Sequence, residues 1–333
     1  MNPFFMAKYP FVRDAREFVG QHFDLSLAEL PESENREAIE RGFQRVYQAI
    51  RRKKIPFDTQ NMIRYDIEVV SFPVAVMLVA LINDDMLRNM YATAEAKRCS
   101  ELMTQDRTDI PRIADELEFQ FRVSASGDEQ NLLAVRLVDY LSFSPQLWGE
   151  KWRLANRVVD KGEVLVTDHE FARILEEKIK RTILERTRTD VSGIKLPALL
   201  AEKRTELASV WGEYKAAIQP EAHVEPHDVP PCMSRLTERM MKGENLSHVE
   251  RRTLVSYLAA IGWTEEEMMS LLRHSPDFNE RIAKYQLEHI TGRRGKGKRY
   301  SPPSCATMRM YGLCFPDRWC NHIRHPLKYR RTA

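Results

Sequence analysis

Four of the five cysteines in this chain of 333 residues fall in its last 102, and they constrain the fold more than any other feature. Cys232, Cys305, Cys314 and Cys320 are separated by 72, 8 and 5 residues. Each sits beside residues that turn or fix the backbone: Pro230 and Pro231, Pro302 and Pro303, Gly312, and Trp319. Thiolates repel one another and stay together in reduced form where a cation or cluster neutralises them, so four at turns read as ligands of one metal centre. No CxxC pair is present, which disfavours an ordinary zinc finger and leaves zinc itself open. Iron-sulfur ligation accepts wide, irregular spacing, because the group is larger and its ligands arrive from separate loops. The competing reading is a set of small buried core side chains. Cys99 lies apart in a helical pattern and reads as core.

The length fits two domains, with a composition of 43% hydrophobic and 30% charged residues that suits globular packing. The longest apolar run, Val69 to Ile82, is interrupted by Ser71 and Pro73 and falls short of the ~20 residues of a membrane helix. Met1 to Phe11 lacks the basic start and apolar core of a signal peptide. An odd number of unevenly spaced cysteines argues against a secreted disulfide framework, so a cytoplasmic protein without a membrane partner is expected. The net charge of +3 hides an asymmetry. Residues 287–333 carry eleven Lys and Arg against two acids, a net of +9, which leaves −6 on residues 1–286. Such a field attracts phosphate; the alternative is a solvated basic tail.

Along the chain the pattern is mainly α. A short amphipathic helix is expected from Pro10 to Val19 and a longer one after Ser33, with Ile39, Phe43, Val46 and Ile50 on one face. Ser71 to Asn83 is apolar all round and predicts a buried helix with Pro73 at its first turn or at a kink. Asp84 and Asp85 read as the cap of the next helix rather than as a metal site. Glu118 to Val123 and Leu133 to Val138 are candidate strands. Trp152 to Val159 and Glu163 to Thr167, around Asp160-Lys161-Gly162, predict a hairpin. The result is a helical N-terminal domain, residues 1–217, with a small α/β subdomain near 130–190. A stretch at 218–231 with four prolines reads as a semi-stiff linker, and a helical C-terminal domain occupies 232–333. There His248 and Arg252 project from the polar side of one helix, Arg251 flanks its apolar stripe, and Tyr285 and His289 share a later helix. A basic loop with three glycines, Gly292 to Tyr300, runs into Cys305 without a Walker pattern.

Several stretches together resemble the large subunit of archaeal and eukaryotic DNA primase, in its archaeal form. They are PPCM at 230–233, GENLSH at 243–248, YSPPSC at 300–305, GLC at 312–314 and CNHIRHPL at 320–327. In the amino-terminal half EVVSFPVA at 68–75, YATAEAK at 91–97 and KWRLANR at 151–157 with Gly162 are similar to the same family. The resemblance implies that Cys232, Cys305, Cys314 and Cys320 hold a 4Fe-4S cluster in the C-terminal domain. It implies that the face near His248, Arg251, Arg252, Tyr285, His289, Arg293, Arg294, Lys296 and Lys298 binds template DNA and the 5′ end of the RNA primer. It also implies that the α/β subdomain docks the catalytic small subunit, which makes Trp152, Val164, Leu165 and Val166 interface candidates; their own reading from sequence is equally a subdomain core.

No Asp-x-Asp motif in a strand offers the paired carboxylates that hold two metal ions for nucleotide polymerisation, so a noncatalytic, regulatory subunit is expected. Two other classes stay open. One is a zinc- or cluster-stabilised nucleic-acid-binding protein outside priming. The other is a cluster redox protein, although no flavin, nicotinamide or CxxxCxxC motif is present.

Overall fold

The computed structural model describes residues 2–22, 32–57, 64–123, 132–147, 150–191, 193, 196–218, 228–294, 297 and 299–331. It is mainly helical and divides into two compact units, Met1–Glu213 and Tyr214–Ala333.

The first unit opens with α1 (Pro3–Lys8), α2 (Arg13–His22), α3 (Glu32–Arg52), α4 (Tyr65–Ile82), α5 (Asp85–Gln105) and α6 (Asp109–Glu116). Pro10 stands between α1 and α2 rather than inside one helix. A proline disfavours helical geometry in the residue before it, and Tyr9 leaves the helix at φ −130° and ψ 68°. Asp84 caps α5 as expected, its carboxylate accepting from the amides of Met86 and Leu87. Cys99 is wholly buried in that helix.

Helix α4 begins at Tyr65, six residues before the expected helix start at Ser71, so Pro73 lies inside it. Side chains reinforce the turn before the proline: Ser71 Oγ and Arg45 Nη2 both donate to the Glu68 carbonyl. Over its 18 residues α4 is long and apolar enough to cross a membrane, with mean hydropathy 2.0. In this fold ten of those residues are buried, and α3 lies closely against it. Gly42 permits that approach, since a Cβ there would meet Val74 Cγ1 at 2.6 Å. A charged network crosses this core. The fully buried Arg45 pairs with Glu68 and Glu95, while Arg41 and Arg98 flank the two acids. Burial by itself raises a carboxyl pKa, but Arg45 and Arg41 reverse this for Glu68 and hold it at about 2. Arg45 and Arg98 likewise hold Glu95 below its ordinary range.

The α/β part contains β1 (Phe121–Val123), β2 (Leu132–Arg136), α7 (Leu137–Phe143), β3 (Val159–Asp160), β4 (Glu163–Thr167) and α8 (Asp168–Arg186). Its strands form one antiparallel sheet in the order β1-β2-β4-β3. The hairpin is present, and Lys161 and Gly162 take φ of 48° and 82°, the double left-handed turn that matches strand twist. Its first arm is shorter than expected. Residues 150–156 form two 3-10 turns instead of a strand, and Tyr140 Oη pins them through the Trp152 carbonyl at 2.8 Å. Helix α8 starts with a capping box between Thr167 and Glu170. Helix α9 spans Ala198–Ile218, its last residues belonging to the second unit.

The second unit holds α10 (Pro231–Met241), α11 (His248–Ala260), α12 (Glu265–Leu272), α13 (Glu280–Ile290) and α14 (Cys305–Met310). Met233, Leu236, Met240, Leu254, Tyr257 and Leu287 lie in its core. Of the proline-rich stretch expected as a linker, 219–227 lies outside the described residues. Pro231 is already the first residue of α10, where the missing amide costs nothing.

Candidate metal centre and nucleic-acid face

Local rules place each of the four thiols. Cys232 sits in the first turn of α10, after the Pro230 cap. Cys305 opens α14, with Ser304 Oγ accepting from the Thr307 amide and the Cys305 amide donating to the Arg324 carbonyl at 3.0 Å. Cys314 follows the tight turn after α14, where the Leu313 amide returns to the Met308 carbonyl. Cys320 closes a 3-10 turn capped by Asp317, which also accepts from the buried Tyr329 hydroxyl at 2.6 Å.

These four points converge on one cavity. Cys232, Cys305, Cys314 and Cys320 all line it, together with Pro230, Met308, Pro316 and Ile323. Burial, then the nearness of Cys314 and Cys305, pushes the Cys232 thiol up to about 12. Burial and Cys314 also raise Cys305, and burial raises Cys320. Neutral thiols are thus favoured until a cationic group enters and compensates four thiolates. Among the described residues no three His, Cys, Asp or Glu side chains gather tightly enough for a single ion. Four thiols lining one cavity are a donor set that a thiolate-bound metal centre takes. Cys99 takes no part; burial pushes its thiol up to about 12.

On α11 and α13 the structure sorts the expected phosphate ligands. His248 is the first residue of α11, after a capping box between Ser247 and Glu250. Burial, then Arg252 and Arg251, holds its imidazole below the ordinary value. Arg251 is half-buried and engaged within the unit. Its guanidinium donates to the Leu246 carbonyl, to Asn245 and to both oxygens of Asp277. The reason is its position beside the apolar stripe, which turns it back over the loop before α11. Arg252 is exposed and lies over the Tyr300 ring, 5.9 Å from its centroid.

Tyr300 leads to a row of rings. Its centroid is 5.9 Å from that of His289, which is 6.0 Å from that of Tyr285. Arg294 covers the far end, 5.1 Å from the Tyr285 centroid, and also reaches Glu288. Arg293 bonds Glu265 at 3.0 Å. Lys296 and Lys298 lie outside the described residues. In the same basic loop the Arg299 guanidinium donates to the Ala259 carbonyl at 2.8 Å and fixes the loop.

The proposed docking residues of the α/β subdomain are placed mostly inward. Val164 and Val166 are 0% and 1% exposed and share the sheet face of Leu133 and Val135. Trp152 is 6% exposed, beneath Arg157. These three are core of their own subdomain, because alternate residues of β4 face the helices. Only Leu165, on the opposite face, is partly open.

Comparison with known proteins agrees with this architecture. Residues 8–189 match the eukaryotic and archaeal DNA primase, large subunit N-terminal domain, and residues 222–330 match the corresponding C-terminal domain. The chain belongs to the large-subunit family of eukaryotic and archaeal DNA primases. Among its relatives is the DNA primase large subunit PriL of Methanosarcina mazei, 33% identical over 342 residues that cover 97% of this chain and 87% of the relative. That of Halobacterium salinarum is 30% identical over 341 residues, 97% and 91% of the two chains. That of Methanocella arvoryzae is 35% identical over 270 residues, 80% and 72%.

Proposed function

We propose that this chain is the regulatory, noncatalytic subunit of a heterodimeric DNA primase, acting in the cytoplasm. Its first unit docks the catalytic small subunit, and its second holds template DNA and the 5′ end of the RNA primer. The observation that carries the second role is the row Tyr285, His289 and Tyr300 between Arg252 and Arg294. Rings accept bases by stacking and guanidinium groups accept phosphate, so the row suits a single strand followed by its charged end. His248, four residues before Arg252 on α11, adds a donor to the same phosphate. The noncatalytic assignment is supported by the absence of an Asp-x-Asp pair in the sequence.

Cys232, Cys305, Cys314 and Cys320 would hold a 4Fe-4S cluster, a reading supported by the cavity they share. When bound, the cluster supplies iron–thiolate bonds that cross-link the start of α10 to three points near the chain end. The residues themselves set its frame: the Ser304 cap, the Asp317 turn and the Tyr329 anchor fix the loops that carry the thiols.

The test is binding of the full chain to a template–primer bearing either a 5′-triphosphate or a 5′-hydroxyl. Tighter binding of the triphosphate, reduced in Arg252→Ala and Tyr300→Ala, supports the reading; equal binding of both ends by all three proteins overturns it. Co-purification of the small subunit with residues 1–217 tests the docking role.

A further inference from the structure

We propose that the rim of the four-thiol cavity is a second contact surface for a single nucleic-acid strand, separate from the Tyr285, His289 and Tyr300 face. It goes beyond the proposed function and does not depend on what the thiols hold.

Residues 305–331 carry six Lys and Arg against one acid, Asp317. That carboxylate already accepts from the Trp319 amide and the Tyr329 hydroxyl. Several other cations of the unit are paired: Arg239 with Glu244 and Glu250, Arg251 with Asp277, Arg293 with Glu265 and Arg294 with Glu288. Arg235, Arg309, Arg318 and Arg324 are exposed, and among the described residues none forms an ion pair with a carboxylate. Like charges held near one another raise the energy of the free surface, and a polyanion relieves it.

Geometry gathers these groups. Arg309 and Phe315 line the cavity with the thiols, and the Arg324 carbonyl holds the amide of Cys305. The Arg235 guanidinium lies over the Phe315 ring, 3.9 Å from its centroid, and Arg318 lies over Trp319 at 4.6 Å. Phe315 remains 40% exposed and Met310 beside Arg309 is 83% exposed. A guanidinium stacked on a ring presents planar stacking surface and phosphate donors in one element. An acidic peptide would use the cations and leave the rings unsatisfied, whereas a nucleic-acid strand uses both.

The full chain is titrated by fluorescence anisotropy with two probes across a salt series: a DNA strand of about 25 nucleotides, and a 5′-triphosphorylated RNA of about four, too short to span both faces. Arg318→Glu with Arg324→Glu is expected to weaken the long strand about tenfold or more. The same variant should flatten its slope of log affinity against log salt by about 1.4, at roughly 0.7 per lost phosphate. The short probe should bind unchanged. Arg235→Glu on α10 should act in the same direction, and circular dichroism and melting confirm that the variants are folded. Unchanged long-strand binding in folded variants overturns the proposal, as does an equal loss for both probes. Retained strand binding with loss of catalytic-subunit co-purification also overturns it, by making the rim a protein contact. Failure of the Tyr285 and Tyr300 face would show separately, in the short probe.

Discussion

Arg251 Nη2 donates to both carboxylate oxygens of Asp277 at 3.0 Å, so the residue following α11's first turn ties that helix to the segment before α13. Its neighbour Arg252 points elsewhere, over Tyr300. Two adjacent arginines therefore have different work. Arg251→Ala should destabilise the unit Tyr214–Ala333 by roughly 1.5–3 kcal/mol, the range for hydrogen bonds to charged groups. Arg252→Ala should leave the melting temperature unchanged and flatten the salt dependence of strand binding by about 0.7. Thermal melts beside binding titrations separate the two, and interchange of these effects would refute the assignment.

His248 provides a pH signature. Its imidazole is held below the ordinary value of 6.5 by burial first, then by Arg252 and Arg251. The unfolded chain takes up this proton at higher pH than the folded one, so the free protein loses stability as pH falls through and below about 6.5. A bound phosphate opposes both arginines and favours the charged imidazole. Strand affinity should accordingly rise as pH falls from about 8 to about 6, by at most about tenfold per unit for one proton. His248→Gln should flatten this profile; a profile identical to that of the parent would remove His248 from the site.

The buried network of the first unit should dominate its acid stability. Glu68 is held at about 2 against an ordinary 4.5, so its contribution is complete above about pH 4.5 and is lost as pH falls towards 2. Breaking the network at its centre, with Arg45→Met, leaves Glu68 and Glu95 buried without their shared partner. The expected cost is about 3–5 kcal/mol, read from denaturant unfolding. A loss below about 1 kcal/mol would show that water or rearrangement replaces the arginine.

For the thiols, Cys232→Ser, Cys305→Ser, Cys314→Ser and Cys320→Ser should each lower iron and sulfide per chain and destabilise the second unit. Cys99→Ser places a hydroxyl in a fully buried position and should cost about 1–3 kcal/mol in the first unit while leaving iron unchanged. Metal analysis of anaerobically purified variants checks this. Iron retained in Cys232→Ser and lost in Cys99→Ser would reverse the ligand assignment.

By itself the sequence determined what depends on short-range physics. The helical periods of α3 and α11, the Asp84 cap and the Lys161-Gly162 turn were all legible, because each is set by neighbours within about four residues. So was the separation of Cys99 from the four thiols at turns. Side-chain direction was decided only by tertiary structure. Arg251 and Arg252 are adjacent and chemically alike, and only the distant Asp277 and Tyr300 assign one to packing and the other to the open face. Val164 and Val166 present the same apolar pattern whether they face a partner or α8; the register of β4 against β2 turns them inward. Pro73 ends helices in local statistics, yet α4 runs through it from Tyr65 to Ile82, its buried residues packed against α3. In each case the deciding group lies far along the chain or on another element, where no local pattern carries the information.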